Sequence, residues 1–265
     1  MPLDPEVGTV LAVAKRLARE AGAIQRDRFE TDIDIQTKSS SIDLVTEVDL
    51  ACEKGIVEAI ERERPGDGVL AEEGLGREIP GCEWRWVIDP LDGTTNYAHG
   101  YPRFCVSIGV ERSGRREVGV VYDPLLDELY HAVRGHGAWL GARRLSVSSQ
   151  QELGLALVGT GFAYDVHRSS RDNAACFARM LKVVRGIRRD GSAALDLCYV
   201  AAGRLDAYWE FKLRAWDVAA GILIVEEAGG CVTGADAGCA PSDGSSVVAT
   251  NAHLHAAVLD RIREA

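Results

Sequence analysis

What this sequence lacks narrows the field first. Its seven cysteines, Cys52, Cys82, Cys105, Cys176, Cys198, Cys231 and Cys239, are odd in number, scattered, and never arranged as C-x-x-C. That pattern gives no support to a zinc ribbon or a thioredoxin-like centre, and free thiols in a reducing cytoplasm are the expectation. No H-E-x-x-H occurs, and the six histidines are dispersed. Excess positive charge is missing as well. A formal net charge of −10 argues against a nucleic-acid partner, because such binding rests on Lys and Arg neutralising phosphates. It does not exclude a phosphorylated small molecule whose charge is met by metal ions. The most apolar stretch, VAAGILIV at 218–225, is too short for a bilayer and runs into Glu226-Glu227. The opening MPLDPEVGTV is acidic and has no basic segment followed by an apolar one, so neither a secretory leader nor a membrane partner is expected. Internal repeats and low-complexity tracts are absent. The one dinucleotide-like fragment, Gly135-x-Gly137, precedes no helical pattern.

What is there is ordinary in composition and ordered in pattern. With 46% hydrophobic and 26% charged residues over 265 positions, the chain is long enough for one large domain or two lobes. Val7, Val10, Leu11, Ala14, Leu17, Ala18, Ala21 and Ile24 recur at helical spacing over 5–29. TKSSSIDLVTEVDL at 37–50 begins as a polar loop. Thr46 then serves as an N-cap with Asp49 in the capping-box position, and a second helix runs to about Arg64 before Pro65-Gly66. Between 69 and 134 the period changes. VLAEE, WRWVID, FCVSIGVER, EVGVVYD and ELYHAVR read as strands of a largely antiparallel sheet. RGHGAWLGARRL at 134–145 is expected to turn the chain toward a second lobe. That lobe alternates: a strand at 155–162, helices at 169–185 and 192–203, a strand at 206–211, a helix at 217–230, a strand at 245–251 and a terminal helix at 252–264. The expected boundaries are 1–143 for an N-terminal α+β lobe and 144–265 for a C-terminal α/β lobe, with helices covering layered sheets.

The acidic residues worth isolating lie at the ends of these elements. Glu72-Glu73 follow VLA, Asp89 and Asp92 sit in DPLD after an apolar run, and Asp217 opens an apolar helix. Buried charges of one sign need a positive partner. Oxygen-only donors select a hard cation, and magnesium suits a few carboxylates, waters and a substrate phosphate. The rigid Pro90 would let Asp89, Asp92 and the Leu91 carbonyl face one point, with the N–H groups of Gly93 and Thr94 free for a phosphate.

VIDPLDGTTNY resembles the D-P-x-D-G-T-x-N-F signature of the inositol monophosphatase family, and WDVAAGILIVEEAGG at 216–230 resembles its second signature. The D-L-V-T-x-x-D stretch at 43–49, the glutamates at 72–73 and GSAALD at 191–196 fall in the family's order, so the similarity spans nearly the whole chain. Ala71 and Tyr97 stand where the family usually has Gly and Phe, and both read as packing variation.

The resemblance implies an α/β fold, a layered αβαβα sandwich, and a magnesium-dependent, lithium-sensitive phosphatase that is a homodimer. Two or three Mg2+ ions are implied, with Mn2+ a substitute. Glu72, Asp89 and the Leu91 carbonyl would hold one ion, and Asp89, Asp92 and Asp217 a second. Gly93 and Thr94 would hold the phosphate. Asp92, Gly191, Ser192, Ala193, Glu210 and Asp217 would line the side facing the substrate hydroxyls. Glu72, Thr94 and Asp49 would position the attacking water. The substrate would be a small phosphorylated polyol or sugar, inositol 1-phosphate first, with fructose 1,6-bisphosphate and histidinol phosphate as alternatives. A different class remains: a non-catalytic binding protein in which the metal is structural. Taken singly, Asp217, Asp49 and Ser192 are cap residues, Glu73 a surface or supporting residue, and Glu210 a solvated strand residue.

Overall fold

The computed structural model describes residues 2–170 and 172–263. Helix α1 (Pro5–Arg28) begins where Asp4 accepts the Glu6 N–H at 2.9 Å and Pro5 occupies a position that needs no donor. Its buried stripe, Val7, Val10, Ala14, Leu17, Ala18 and Ala21, is the expected one. A small hairpin, β1 (Ile35–Thr37) and β2 (Leu44–Thr46), follows inside the stretch read as a polar loop. Thr46 then caps α2 (Glu47–Glu63) by a complete capping box with Asp49.

The next strands are β3 (Gly68–Ala71), β4 (Trp84–Asp92), β5 (Cys105–Arg112), β6 (Arg115–Asp123), β7 (Glu128–Val133), β8 (Gly137–Leu140) and β9 (Arg143–Arg144), with the short helix α3 (Thr94–Ala98) after β4. They form a seven-stranded sheet in sequence order, antiparallel except for the parallel pair β3–β4. Residues 134–145, expected to lead away to a second lobe, instead fold back as the β8–β9 hairpin. Glu227 accepts the N–H groups of Gly135 and Gly137, both at 2.8 Å, and pins that turn.

The second half builds β10 (Leu157–Thr160), α4 (Ala174–Leu181), β11 (Gly186–Arg188), α5 (Ala193–Ala201), β12 (Ala207–Phe211), α6 (Ala215–Glu227), β13 (Cys231–Thr233), β14 (Ser246–Thr250) and α7 (His255–Arg263). The five strands are ordered β11-β10-β12-β14-β13. Helix α4 is shorter than the expected 169–185. Asn173 sits at φ 67°, outside the helical region, and its amide is tied to Thr160 Oγ1 and the Gly161 carbonyl. Residues 171 and 264, in the helices expected over 169–185 and 252–264, lie outside the described residues.

Three apolar clusters set the layer order. The first joins α1 and α2 to one face of the large sheet, through Val106, Ile108, Val118 and Val120 among others. The second places α5 and α6 between the large sheet's other face and the small sheet. The third seats α4 and α7 on the far side of the small sheet. The result is the αβαβα sandwich. Helix α6 lies unusually close to the large sheet, because Gly109 and Gly119 face each other across β5 and β6 beneath Ala219 and Ala220. A Cβ at Gly119 would sit 2.7 Å from the Ala220 carbonyl oxygen. On the helix's other side, Gly221 admits Leu197 of α5. These contacts explain the small residues of the AAG triplet and fix the height of Asp217 at the helix start. Gly119→Ala is therefore expected to cost about 1–3 kcal/mol in urea unfolding, because the contacted atom is backbone and cannot swing aside.

Candidate active site

The DPLD segment is not a loop after a strand; it is the end of β4. Between the pairs Asp89–Ser107 and Asp92–Cys105 the register gains one residue on β4. Side chains three apart on a regular strand point to opposite faces. A bulge restores them to the same side, and Pro90, which donates no ladder hydrogen bond, tolerates that position. The bulge is held from behind by Gln25 of α1, whose amide donates to the Pro90 carbonyl at 2.7 Å. Asp89 and Asp92 are both buried, and Asp92 raises the cost of charging Asp89.

Glu72 follows β3, which runs parallel to β4, so it emerges beside Asp89. After burial, Glu72 is the strongest influence raising the Asp89 carboxyl. The turn beyond Glu72 hangs on Glu53, whose two oxygens accept the N–H groups of Glu73 and Leu75, each at 2.7 Å. Lys38, from the β1–β2 hairpin, reaches Glu72 at 2.9 Å and Glu73 at 2.5 Å. The Glu73 side chain is buried against that ammonium rather than lying on the surface.

The other side of the site comes from the helices between the sheets. Asp217 is the third residue of α6, not its N-cap, and accepts the Arg214 N–H at 2.7 Å. Ser192 is the N-cap of α5 and points its hydroxyl at Asp92, 2.7 Å from Oδ2. The Ala194 N–H donates to the same oxygen at 2.7 Å. Ser192 is thus the cap its position suggested, but it lies beneath Asp92 and does not line the cavity, where it was expected.

Gly93 adopts φ 102°, and a Cβ there would meet the Arg103 carbonyl at 2.8 Å, so only glycine fits. Thr94 opens α3, with its hydroxyl 2.9 Å from Asp49 Oδ1 and 3.1 Å from the Leu91 carbonyl. Asp49 also accepts the Thr46 N–H at 2.9 Å. Burial pushes the Asp49 carboxyl up to about 6, against the pull of its Thr46 and Thr94 hydrogen bonds. Tyr97, read as packing variation, does pack on Phe104 with ring centroids 4.8 Å apart, but its hydroxyl also donates to the Gln25 carbonyl at 2.7 Å.

A cavity of ≈ 970 Å³ unites these parts. Glu72, Asp89, Leu91, Asp92 and Asp217 line it together. So do Gly93 and Thr94 at one wall and Gly191, Ala193 and Glu210 at another. Asp49 lies behind Thr94. Glu210 fits only because residue 161 is glycine, since a Cβ there would lie 2.0 Å from its carboxylate. Burial lifts Glu210 to about 7, opposed by the Tyr208 hydroxyl that donates to it and by Arg189.

Charge is the dominant property of this cavity. Burial, then Glu72, Asp92 and Asp217, hold Asp89 well above the usual carboxylate range. Burial, then Asp92 and Glu72, do the same for Asp217. Asp92 is raised by burial and partly relieved by Ser192, the α5 N–H groups and Arg103. Among the described residues, no three such side chains already close on one point. Two buried carboxylates, Asp89 and Asp92, and two half-buried ones, Glu72 and Asp217, offer oxygen donors only; with Lys38 on Glu72 and Arg103 near Asp92 as partial relief, they fit a hard divalent cation.

Sequence reading missed Lys38, Glu53 and Gln25. Lys38 lay in a stretch read as loop. Glu53 and Gln25 carried a signal: each occupies a core-facing position of an amphipathic helix, where a polar residue needs a buried partner.

Comparison with known proteins came to the same place. The sequence profile described as "Inositol monophosphatase family" matches residues 6–265. A protein of Rhizobium meliloti named inositol-1-monophosphatase is 41% identical over 98% of this chain and 96% of its own length. One of Pasteurella multocida named Nus factor SuhB is 43% identical over 96% and 93%. The solved structure of an inositol monophosphatase from Anabaena superposes with a TM-score of 0.87 at 41% identity, covering 97% of this chain and 96% of that one.

The Glu53 anchor makes its own prediction. Glu53→Gln keeps the shape but presents one amide N–H to a backbone N–H, and is expected to cost about 1–3 kcal/mol in denaturant unfolding.

Proposed function

The chain belongs to the inositol monophosphatase family, and on that premise we propose that it hydrolyses a phosphate monoester of a small polyol, with inositol 1-phosphate the first candidate. The family supports phosphatase activity and is generally metal-dependent. The observation that carries the reading here is the single cavity that gathers Glu72, Asp89, Asp92 and Asp217 above the Thr94–Asp49 pair. Glu72, Asp89 and the Leu91 carbonyl would hold one Mg2+, and Asp89, Asp92 and Asp217 another. Such ions supply positive charge to the phosphoryl group and acidify a water, in a reaction whose uncatalysed rate is among the slowest known.

The chain's own groups do the rest. Asp49 accepts the Thr94 proton, leaving the Thr94 oxygen able to accept one from the attacking water. Glu72, across the cavity, orients that water. The water oxygen bonds to phosphorus as the ester P–O bond breaks opposite it, and the departing oxygen takes a proton from solvent. The opening of α3 at Gly93 and Thr94 faces the phosphate. Glu210 and Ala193 face the leaving group, where an acceptor beside small residues suits ring hydroxyls. Assembly as a homodimer and inhibition by lithium go with the same reading.

Phosphate release from inositol 1-phosphate should require Mg2+ and stop on chelation with EDTA, returning when Mg2+ is restored. Asp92→Asn should lower kcat severely with the fold intact, since a ligand loses its charge and keeps its volume. Near-normal activity of that variant would remove Asp92 from the second metal site, whereas no turnover of any sugar or polyol phosphate by the wild type would leave a non-catalytic binding role standing. Across inositol 1-phosphate, fructose 1,6-bisphosphate and histidinol phosphate, Glu210→Gln should change the ranking of kcat/KM; an equal loss on all three would remove Glu210 from the specificity pocket.

A further inference from the structure

Asp92 takes its oxygen–hydrogen and nitrogen–hydrogen donors from a segment 100 and 102 residues away in the chain, the Ser192 hydroxyl and the Ala194 N–H. Its aim therefore depends on where the loop before α5 rests on the large sheet's edge. That loop is clamped by a side chain to which nothing above gives a role. Asn96, on α3, donates both amide hydrogens, one to the Asp190 carbonyl at 2.8 Å and one to the Arg103 carbonyl at 2.7 Å. Gly191, at φ 80°, is pressed flat against the same amide: a Cβ would lie 3.0 Å from its nitrogen and 3.1 Å from its oxygen. The Asn96 backbone carbonyl in turn accepts the Tyr101 N–H at 2.8 Å. One residue thus joins the phosphate-side turn, the 101–103 segment and the 190–191 loop.

Resting on the function proposed above, we propose that Asn96 is a positioning residue: its amide holds the 190–191 loop, and through it Ser192 and Ala194, so that Asp92 keeps the orientation the metal site needs. Only asparagine of this size fits the pattern. Two carbonyls require two donors from one planar group, and an aspartate would turn an oxygen toward each of them. Arg103 holds the same loop more coarsely, 3.8 Å from Asp190 and 3.2 Å from the buried Asp196. Removing Arg103 would strand Asp196 and disturb the fold, whereas Asn96 is only partly buried and can be altered more gently.

The test compares wild type with Asn96→Asp in two ways. Mn2+ is titrated alone, free ion being followed by electron paramagnetic resonance, and kcat and KM are measured on inositol 1-phosphate. Groups that orient a metal ligand typically control about 10–100-fold in affinity or rate. The expectation is a loss of that size in Mn2+ affinity and in kcat, a smaller change in KM, and cooperative thermal unfolding retained. Mn2+ affinity and kcat within twofold of wild type would overturn the proposal. If Asn96→Asp does not fold, Asn96→Ala, which removes the donors without adding charge, reads the same quantities; failure of both to fold would make Asn96 a structural residue and also overturn it. A wild type that binds Mn2+ but turns over no ester would remove the proposed function, while the Mn2+ comparison would still decide the clamp.

Discussion

Mutual repulsion among buried carboxylates is the constraint around which this molecule is arranged. Glu72, Asp92 and Asp217 each make ionisation of Asp89 more costly, and Asp92 and Glu72 do the same for Asp217. No packing of apolar side chains would assemble such a group on its own. What holds it is a set of fixed donors and glycine-permitted contacts, supplied from the first helices, the large sheet and the helices between the sheets. The α5 N terminus holds Asp92, the Arg214 N–H holds Asp217, and Lys38 holds Glu72. These donors relieve the repulsion only in part, and what remains is a demand for cations.

The fold meets this constraint by geometry more than by charge. A single inserted residue at Pro90 turns two opposed side chains into neighbours. Paired glycines at 109 and 119 lower α6 onto the sheet until Asp217 stands level with them. Gln25 and Glu53, buried polar residues on otherwise apolar helix faces, reach across to backbone groups and hold the two acidic segments from behind.

The two ends of the cavity differ in kind. The end built on α3 and the bulge is made of backbone and short side chains under tight steric limits. The far end, toward Glu210, Arg189 and Lys212, carries longer side chains of both signs. On the function proposed above, the first end would carry the chemistry and the second the selectivity, so that related chains could share one reaction and differ in the ester they accept.

Much was legible in the residues themselves. The periodicity of α1, the Thr46 capping box, the strand run from 84 to 133 and the acidic residues at element ends are local properties, because spacing and turn chemistry act over a few residues. Two long signatures carried the family. The hairpin inside the polar stretch at 35–46, the unwound start of α4 at Asn173 and the return of 134–145 to the sheet were not legible, since each also leans on a residue far along the chain: Glu72 for Lys38, Trp209 for Asn173 and Glu227 for Gly135. The same limit separates the two accounts of the site. By itself the sequence determined which oxygen donors exist and what kind of cation they suit. Only the tertiary structure decided that Asp89 and Asp92 share a side, that Ser192 works beneath Asp92, and that Asn96 and Glu53 hold the frame. Those are contacts across layers, and a linear pattern does not contain them.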